Sequence, residues 1–161
     1  MKKEEQFNQI FQEHYPKVFR LCKGYFNGDE YFADDATQEV FIKVWEKLEQ
    51  FRNESSISTW IYRITVNTCL LYLRKEKTKK EVSTDSFPIL QIDDYSEEKE
   101  MKLKKMYECI QKLDETGKMI ILMVLEGIDY DKISEVVGIS EETLRVRIHR
   151  IKKSLTQCIQ Q

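Results

Sequence analysis

The sequence is 161 residues long, 41% hydrophobic and 34% charged, which places it among globular chains of one ordinary domain or two small helical ones and outside the disordered class. A net charge of −2 and a pI near 5.8 exclude a surface that is basic all round, the simplest way to hold DNA. Four scattered cysteines with no CxxC pair, and only two histidines, exclude the usual zinc and dithiol redox motifs.

Two prolines and five glycines leave room for long helices, so an all-α fold is favoured. Phe7, Ile10, Phe11, His14, Val18, Leu21, Cys22, Tyr25 and Phe26 recur at steps of three and four, the signature of an amphipathic helix. Pro16 falls inside this pattern and is read as the first turn of a second helix, where a missing N–H costs little. Asn27-Gly28-Asp29 marks a turn. From about Asp34 to Gln50, Ala36, Val40, Phe41, Val44, Trp45 and Leu48 share one helical face. Asp34, Asp35, Gln38, Glu39, Lys43, Glu46 and Lys47 lie largely on the other. Phe51 to Ser58 is polar and reads as a loop, with Ser58 or Thr59 as the cap of a helix over about Trp60 to Lys77.

That helix ends in a basic cluster of Arg74, Lys75, Lys77, Lys79 and Lys80, part of which simply suits a helix C-terminus. Glu81 to Glu98 is acidic and aperiodic, and reads as a linker between two domains that it joins flexibly. Residues 1–80 would form the first domain and residues 99–161 the second. Helical pattern resumes near Glu98, with breaks at Asp114 to Gly117, at Gly127-Ile128-Asp129 and at Gly138-Ile139-Ser140. Met1 to Gln6 has no apolar signal region, and the longest apolar run, Met119 to Leu125, is too short to cross a bilayer. The expectation is a soluble, reduced, cytoplasmic protein without membrane insertion, metal or cofactor.

The strongest local signal lies near the C-terminus. Tyr130 to Val137 is a short helix with Ile133, Val136 and Val137 inward; Gly138 supplies the left-handed turn, Ile139 fills the corner and Ser140 caps a second helix. Helix, glycine turn and helix describe a helix-turn-helix. In the second helix Leu144, Ile148, Ile151 and Leu155 form the inner stripe. At about 100° per residue the outer face then carries Glu142, Val146, His149, Arg150 and Lys153, with Arg145 and Arg147 on the flanks. Cations and an exposed valine suit a major groove, where arginine grips guanine and an apolar group meets a thymine methyl. Taken alone, the same face also fits a solvated helical hairpin.

Tyr130 to Arg150 resembles the second domain of bacterial extracytoplasmic-function sigma factors. Asp34 to Trp45 resembles the polymerase-binding helix of that family. Phe51-Arg52, Ser58 to Ile64, Val66-Asn67-Thr68 and Tyr72-Leu73-Arg74-Lys75 resemble its −10 segment. The motifs stand in family order over about residues 7 to 156. The resemblance implies a non-enzymatic subunit that binds core RNA polymerase and directs it to promoters. It implies that Asp35, Gln38 and Glu39 contact the clamp helices of the largest subunit, and that the second domain meets the flap of the second largest. It implies that the loop from Phe51 to Ile57, with Asn67, holds a base flipped from the −10 non-template strand, while Arg74 and Lys75 track phosphates. Arg145, Val146, His149 and Arg150 would face the −35 element, with Lys152 and Lys153 beside them. An anti-sigma factor is the further partner it implies. Trp60 and Tyr62 offer aromatic surface for unstacked bases, although Trp60 suits the core better than a stacking platform. Ser134, Leu71 and Asp114 to Lys118 depart from the family pattern and leave promoter preference open.

Two other readings compete. Asp34, Asp35 and Glu39 share a helix as a nuclease carboxylate set would, but no second acidic cluster completes one. A conventional DNA-binding regulator or an anti-sigma-like adaptor with a helix-turn-helix tail would bind duplex tightly without polymerase.

Overall fold

The computed structural model describes residues 2–72 and 97–161 in full and residues 73–78 as helical backbone. The described residues form seven α-helices and no strand: α1 (Lys3–Tyr25), α2 (Glu30–Lys47), α3 (Ile57–Thr78), α4 (Glu97–Gln111), α5 (Glu115–Leu125), α6 (Tyr130–Val137) and α7 (Glu141–Gln160). The expected acidic linker, except for Glu97 and Glu98, lies outside the described residues.

The first three helices bury Val18, Leu21, Val40, Val44 and Ile61 against one another. Pro16 does not divide α1, which runs unbroken from Lys3 to Tyr25. The N–H that proline lacks would have met the Gln12 carbonyl, and both residues are exposed, so water can satisfy that group. His14, buried, accounts for part of the α1–α3 register: Nδ1 lies 3.0 Å from the Ile10 carbonyl and Nε2 lies 3.2 Å from Ser58 Oγ. That contact also corrects the expected cap. Ser58 faces His14, while Ser56 Oγ accepts from the Thr59 N–H at 3.1 Å and starts α3 two residues early. Asp29 caps α2 by accepting from the Phe32 N–H at 3.0 Å, so α2 also begins before Asp34, and a 3-10 turn covers Leu48–Gln50. Trp45, assigned to the inner face, is 39% exposed and rests edge-on against Phe7 at 5.3 Å.

The last four helices enclose Ile110, Met119, Ile120, Met123, Ile133 and Leu144. The break expected at Asp114 to Gly117 falls earlier, at Lys112 to Asp114 between α4 and α5. Asp114 is an N-cap whose Oδ1 accepts from the Gly117 N–H, and Gly117 sits in the first turn of α5. A second correction concerns the cysteines: Cys109 and Cys158 are joined by a disulfide, with Cα atoms 5.9 Å apart, because α4 and α7 pack side by side. Their 49-residue separation left no local signal. Cys22 and Cys69 are thiols, fully buried with their sulfurs 3.7 Å apart, and the hydrogen bond to Cys22, then burial, raises Cys69 well above the ordinary thiol range.

The two sets of helices are in contact. α1 lies on α5 and α3 on α6. At Gly24 an added Cβ would fall 2.3 Å from Leu122 Cδ2, so a side chain here would have to displace the tip of Leu122. Arg20 Nε donates to both Glu126 carboxylate oxygens at 2.8 and 2.9 Å. Lys118, only 6% exposed, donates to Gln111 Oε1 at 2.9 Å and sits 4.6 Å above the Tyr25 ring.

Candidate nucleic-acid interface

The turn into α7 is built as its residues dictate. Gly138 adopts φ +77°, a left-handed conformation that costs a side-chain-bearing residue free energy. Its N–H and that of Ile139 both return to the Ser134 carbonyl, at 2.8 and 3.2 Å. Ser134 is tolerated where alanine is usual because its hydroxyl donates to the Asp131 carbonyl at 2.8 Å. Ser140 Oγ then accepts from the Thr143 N–H at 3.1 Å. Leu144, Ile148, Ile151 and Leu155 are buried, which fixes the rotation of α7. Arg145, His149, Arg150, Lys152 and Lys153 are exposed, and Val146 stands among them at 48% exposure. Arg147 separates from this set: it is partly buried and pairs with Asp114 at 3.6 Å.

On α3, Asn67 is exposed, as a base-contacting amide must be. Phe51 is half-buried against Trp60, ring centroids 4.9 Å apart, so both aromatics keep one edge accessible at the loop. Tyr62 corrects its expected role as a stacking surface. It is 3% exposed, and burial, then the nearby Glu126, hold its phenol above the usual range. Leu71 projects outward at 46% exposure. Arg74 and Lys75 lie on the α3 backbone, and their side chains are outside the described residues. One exposed cation was missed in the sequence: Arg63, a single turn before Asn67 on the same side of α3. Its position next to that amide was the available signal.

On α2, Asp35, Gln38 and Glu39 are exposed together. Gln38 Nε2 donates to Asp34 Oδ2 at 3.3 Å, and Tyr72 donates its hydroxyl to Asp35. Burial, then that carboxylate, raises the Tyr72 phenol and keeps it a donor. Tyr31 at 76% exposure and Ile42 at 52% continue the stripe through Asp35 and Gln38. Large apolar groups left outside in phase with polar ones mark a contact surface. Among the described residues no three His, Cys, Asp or Glu side chains are placed to hold a metal ion, and no helix is long and apolar enough to cross a membrane.

A helix-turn-helix that turns four or more cations outward from a capped, packed reading helix defines a DNA-binding transcription factor. The sigma-70 region 2 model matches residues 10–79, and the sigma-70 region 4 model matches residues 103–155. The chain is 31% identical to the ECF RNA polymerase sigma-E factor of Haemophilus influenzae, over 96% of this chain and 87% of that one. It is 29% identical to the ECF RNA polymerase sigma-E factor of Escherichia coli K12, over 98% and 88%. The fold is that of the sigma factor RpoE solved with the anti-sigma factor NepR from Bartonella quintana, with a TM-score of 0.78 over 97% of this chain and 98% of that one at 19% identity. CnrH, solved with the cytosolic domain of CnrY, gives a TM-score of 0.74 over 98% and 89% at 18% identity. The chain therefore belongs to the ECF family of RNA polymerase sigma factors. It recognises promoters and directs transcription initiation by the core polymerase.

Proposed function

We propose that residues 1–80 form the unit that meets core polymerase and the −10 element, that residues 81–98 link it to the rest, and that residues 99–161 form the unit that meets the −35 element. Asp35, Gln38 and Glu39 hold the clamp helices of the largest polymerase subunit, with Tyr31 and Ile42 supplying apolar contact. Phe51 and Asn67 hold an unstacked base of the non-template strand, while Arg74 and Lys75 follow its phosphates. Arg145, Val146, His149 and Arg150 read the −35 major groove, and Lys152 and Lys153 bind the flanking backbone. The second unit also meets the flap of the second-largest subunit. The chain performs no chemistry itself and works in the cytoplasm, where polymerase is. An anti-sigma factor is its inhibitor, a reading supported by the sigma factor RpoE of the same fold, which was solved in complex with the anti-sigma factor NepR.

The observation that carries this assignment is the division of α7 into a buried stripe of four aliphatic residues and an outer face of cations around one exposed valine. Arg150 points away from that stripe, whereas Lys152 lies next to Ile151 at its edge. Arg150→Ala should therefore lower holoenzyme affinity for the preferred −35 sequence by about 1–3 kcal/mol and flatten preference at one or two base pairs. Lys152→Ala should weaken all sequences alike and reduce the salt dependence by about one charge. Binding to matched and mismatched −35 sites across a salt series checks both. A uniform loss for Arg150→Ala would make it a positioning contact rather than a reader.

A further inference from the structure

In the cytoplasm, where the chain is proposed to work, disulfides are rare and those that form are mostly transient and redox-responsive. The four cysteines nevertheless fall into two close pairs with different fates. Cys109 and Cys158 are joined, while Cys22 and Cys69 stay thiols with their sulfurs 3.7 Å apart. Proximity does not separate the pairs; access does. Cys22 and Cys69 are both sealed among the first three helices at 0% exposure. Cys158 is half-buried in the last turn of α7, with Gln157 and Ile159 exposed on either side of it, whereas Cys109 is buried. One sulfur of the joined pair is open to a reagent and the other waits behind it, as an attacking and a resolving thiol must be.

Placement also selects the oxidant. A cysteine that captures peroxide is commonly activated at a helix N-terminus. Cys109 stands in the last turn of α4 and Cys158 in the last turn of α7, the opposite ends of their helices. Reversible exchange with a small disulfide, which follows the balance of the cell's thiols and disulfides, is the better-matched chemistry. The helices themselves bring the two residues together, with Cα atoms 5.9 Å apart.

The bond acts on the reading helix. Cys158 follows Leu144, Ile148, Ile151 and Leu155 at the next helical step and extends their stripe by one position. In α4 the buried residues are Cys109 and Ile110, so much of the hold of that helix on α7 passes through the sulfur. Arg150 lies on the same rod, about 12 Å before Cys158.

We propose that Cys109 and Cys158 form a redox modification site for small disulfides, Cys158 attacking and Cys109 resolving, and that closing the bond strengthens −35 reading by α7. The Cys158 sulfur, its proton lost to solvent, attacks one sulfur of the small disulfide and expels the other half, which takes up a proton as a thiol. The Cys109 sulfur, deprotonated in turn, attacks the Cys158 sulfur of the mixed disulfide and expels the second thiol. Two protein thiols are oxidised and one small disulfide is reduced to two thiols; excess small thiol runs both steps backwards. The functional half rests on the assignment of residues 99–161 to the −35 element. Promoter output then rises as the thiol pool of the cell is oxidised.

The full chain, equilibrated in glutathione buffers from fully reduced to fully oxidised, is alkylated and its cysteines are mapped by mass spectrometry. Cys109 and Cys158 should open and close together across the series, while Cys22 and Cys69 stay thiols that react only after unfolding. In Cys109→Ser a glutathione adduct should accumulate on Cys158; in Cys158→Ser, Cys109 should gain none. Holoenzyme in the same buffers should bind a matched −35 site about fivefold or more tightly with the bond closed, in step with the closed fraction. The Cys158→Ser holoenzyme, with the same core cysteines, should keep the reduced-state affinity at every ratio. A bond that stays closed in excess reduced glutathione would be structural and would overturn the proposal. An adduct on Cys109 alone, or a −35 affinity that ignores the closed fraction, would overturn it equally. An oxidised holoenzyme that does not distinguish matched from mismatched −35 sites would bring down the underlying assignment, and the functional half with it.

Discussion

Opening the Cys109–Cys158 bond is expected to lower the stability of the α4–α7 helices by about 4 kcal/mol, the conformational entropy the unfolded chain regains when a 49-residue loop is freed. The bond pins the last turns of α7 to α4 just beyond Leu155, where the buried stripe ends and packing no longer holds the helix. Denaturant unfolding of oxidised protein, reduced protein and the Cys158→Ser variant checks it. The reduced and Cys158→Ser forms should share a lower midpoint, with Cys22 and Cys69 contributing nothing because they are thiols throughout. Equal midpoints for all three forms would mean that packing between α4 and α7 already restricts the unfolded chain or that the bond adds compensating strain. For a helix that must present its cations at a fixed rotation, the expected consequence is weaker −35 binding under reducing conditions.

The second large effect concerns α2. Gln38→Ala together with Glu39→Ala should reduce affinity for core polymerase by about tenfold or more, the scale on which central interface residues act. Folding should be nearly untouched, within about 0.5 kcal/mol, because both side chains are exposed and the Gln38–Asp34 hydrogen bond is long at 3.3 Å. Asp35 is left out of the variant because it accepts from Tyr72, so its loss would mix a structural effect with a contact effect. Core-binding titrations alongside thermal melts separate the two. Wild-type affinity in the double variant would remove α2 as the docking helix.

The helix-turn-helix was legible in the sequence because its signals are local and chemical. A glycine where φ is positive, a serine cap and an aliphatic stripe at helical spacing leave few alternatives, and α6 and α7 follow them residue for residue. Elsewhere the same local logic misled. Pro16 reads as a breaker, yet on the wet side of α1 water can satisfy the carbonyl it leaves open and the helix runs on. Ser58 has the chemistry of a cap, but His14, distant in the chain, takes its hydroxyl and leaves Ser56 to start α3. The disulfide and the close packing of α1 on α5 and α3 on α6 had no sequence signature at all, since each depends on how separate helices meet. Arg63 was missed for the same reason: its neighbour Asn67 is visible in the sequence, but its partner, the Glu135 carbonyl, is not.

Transcription by the holoenzyme tests promoter direction most directly. Core polymerase from a closely related bacterium, mixed with this chain and a promoter library, should give run-off transcripts from a restricted set of sequences that share both a −10 and a −35 element, while the chain alone binds those promoters poorly. Tight duplex binding by the free chain with no specific transcript from any cognate core would contradict it and make the protein a conventional DNA-binding regulator.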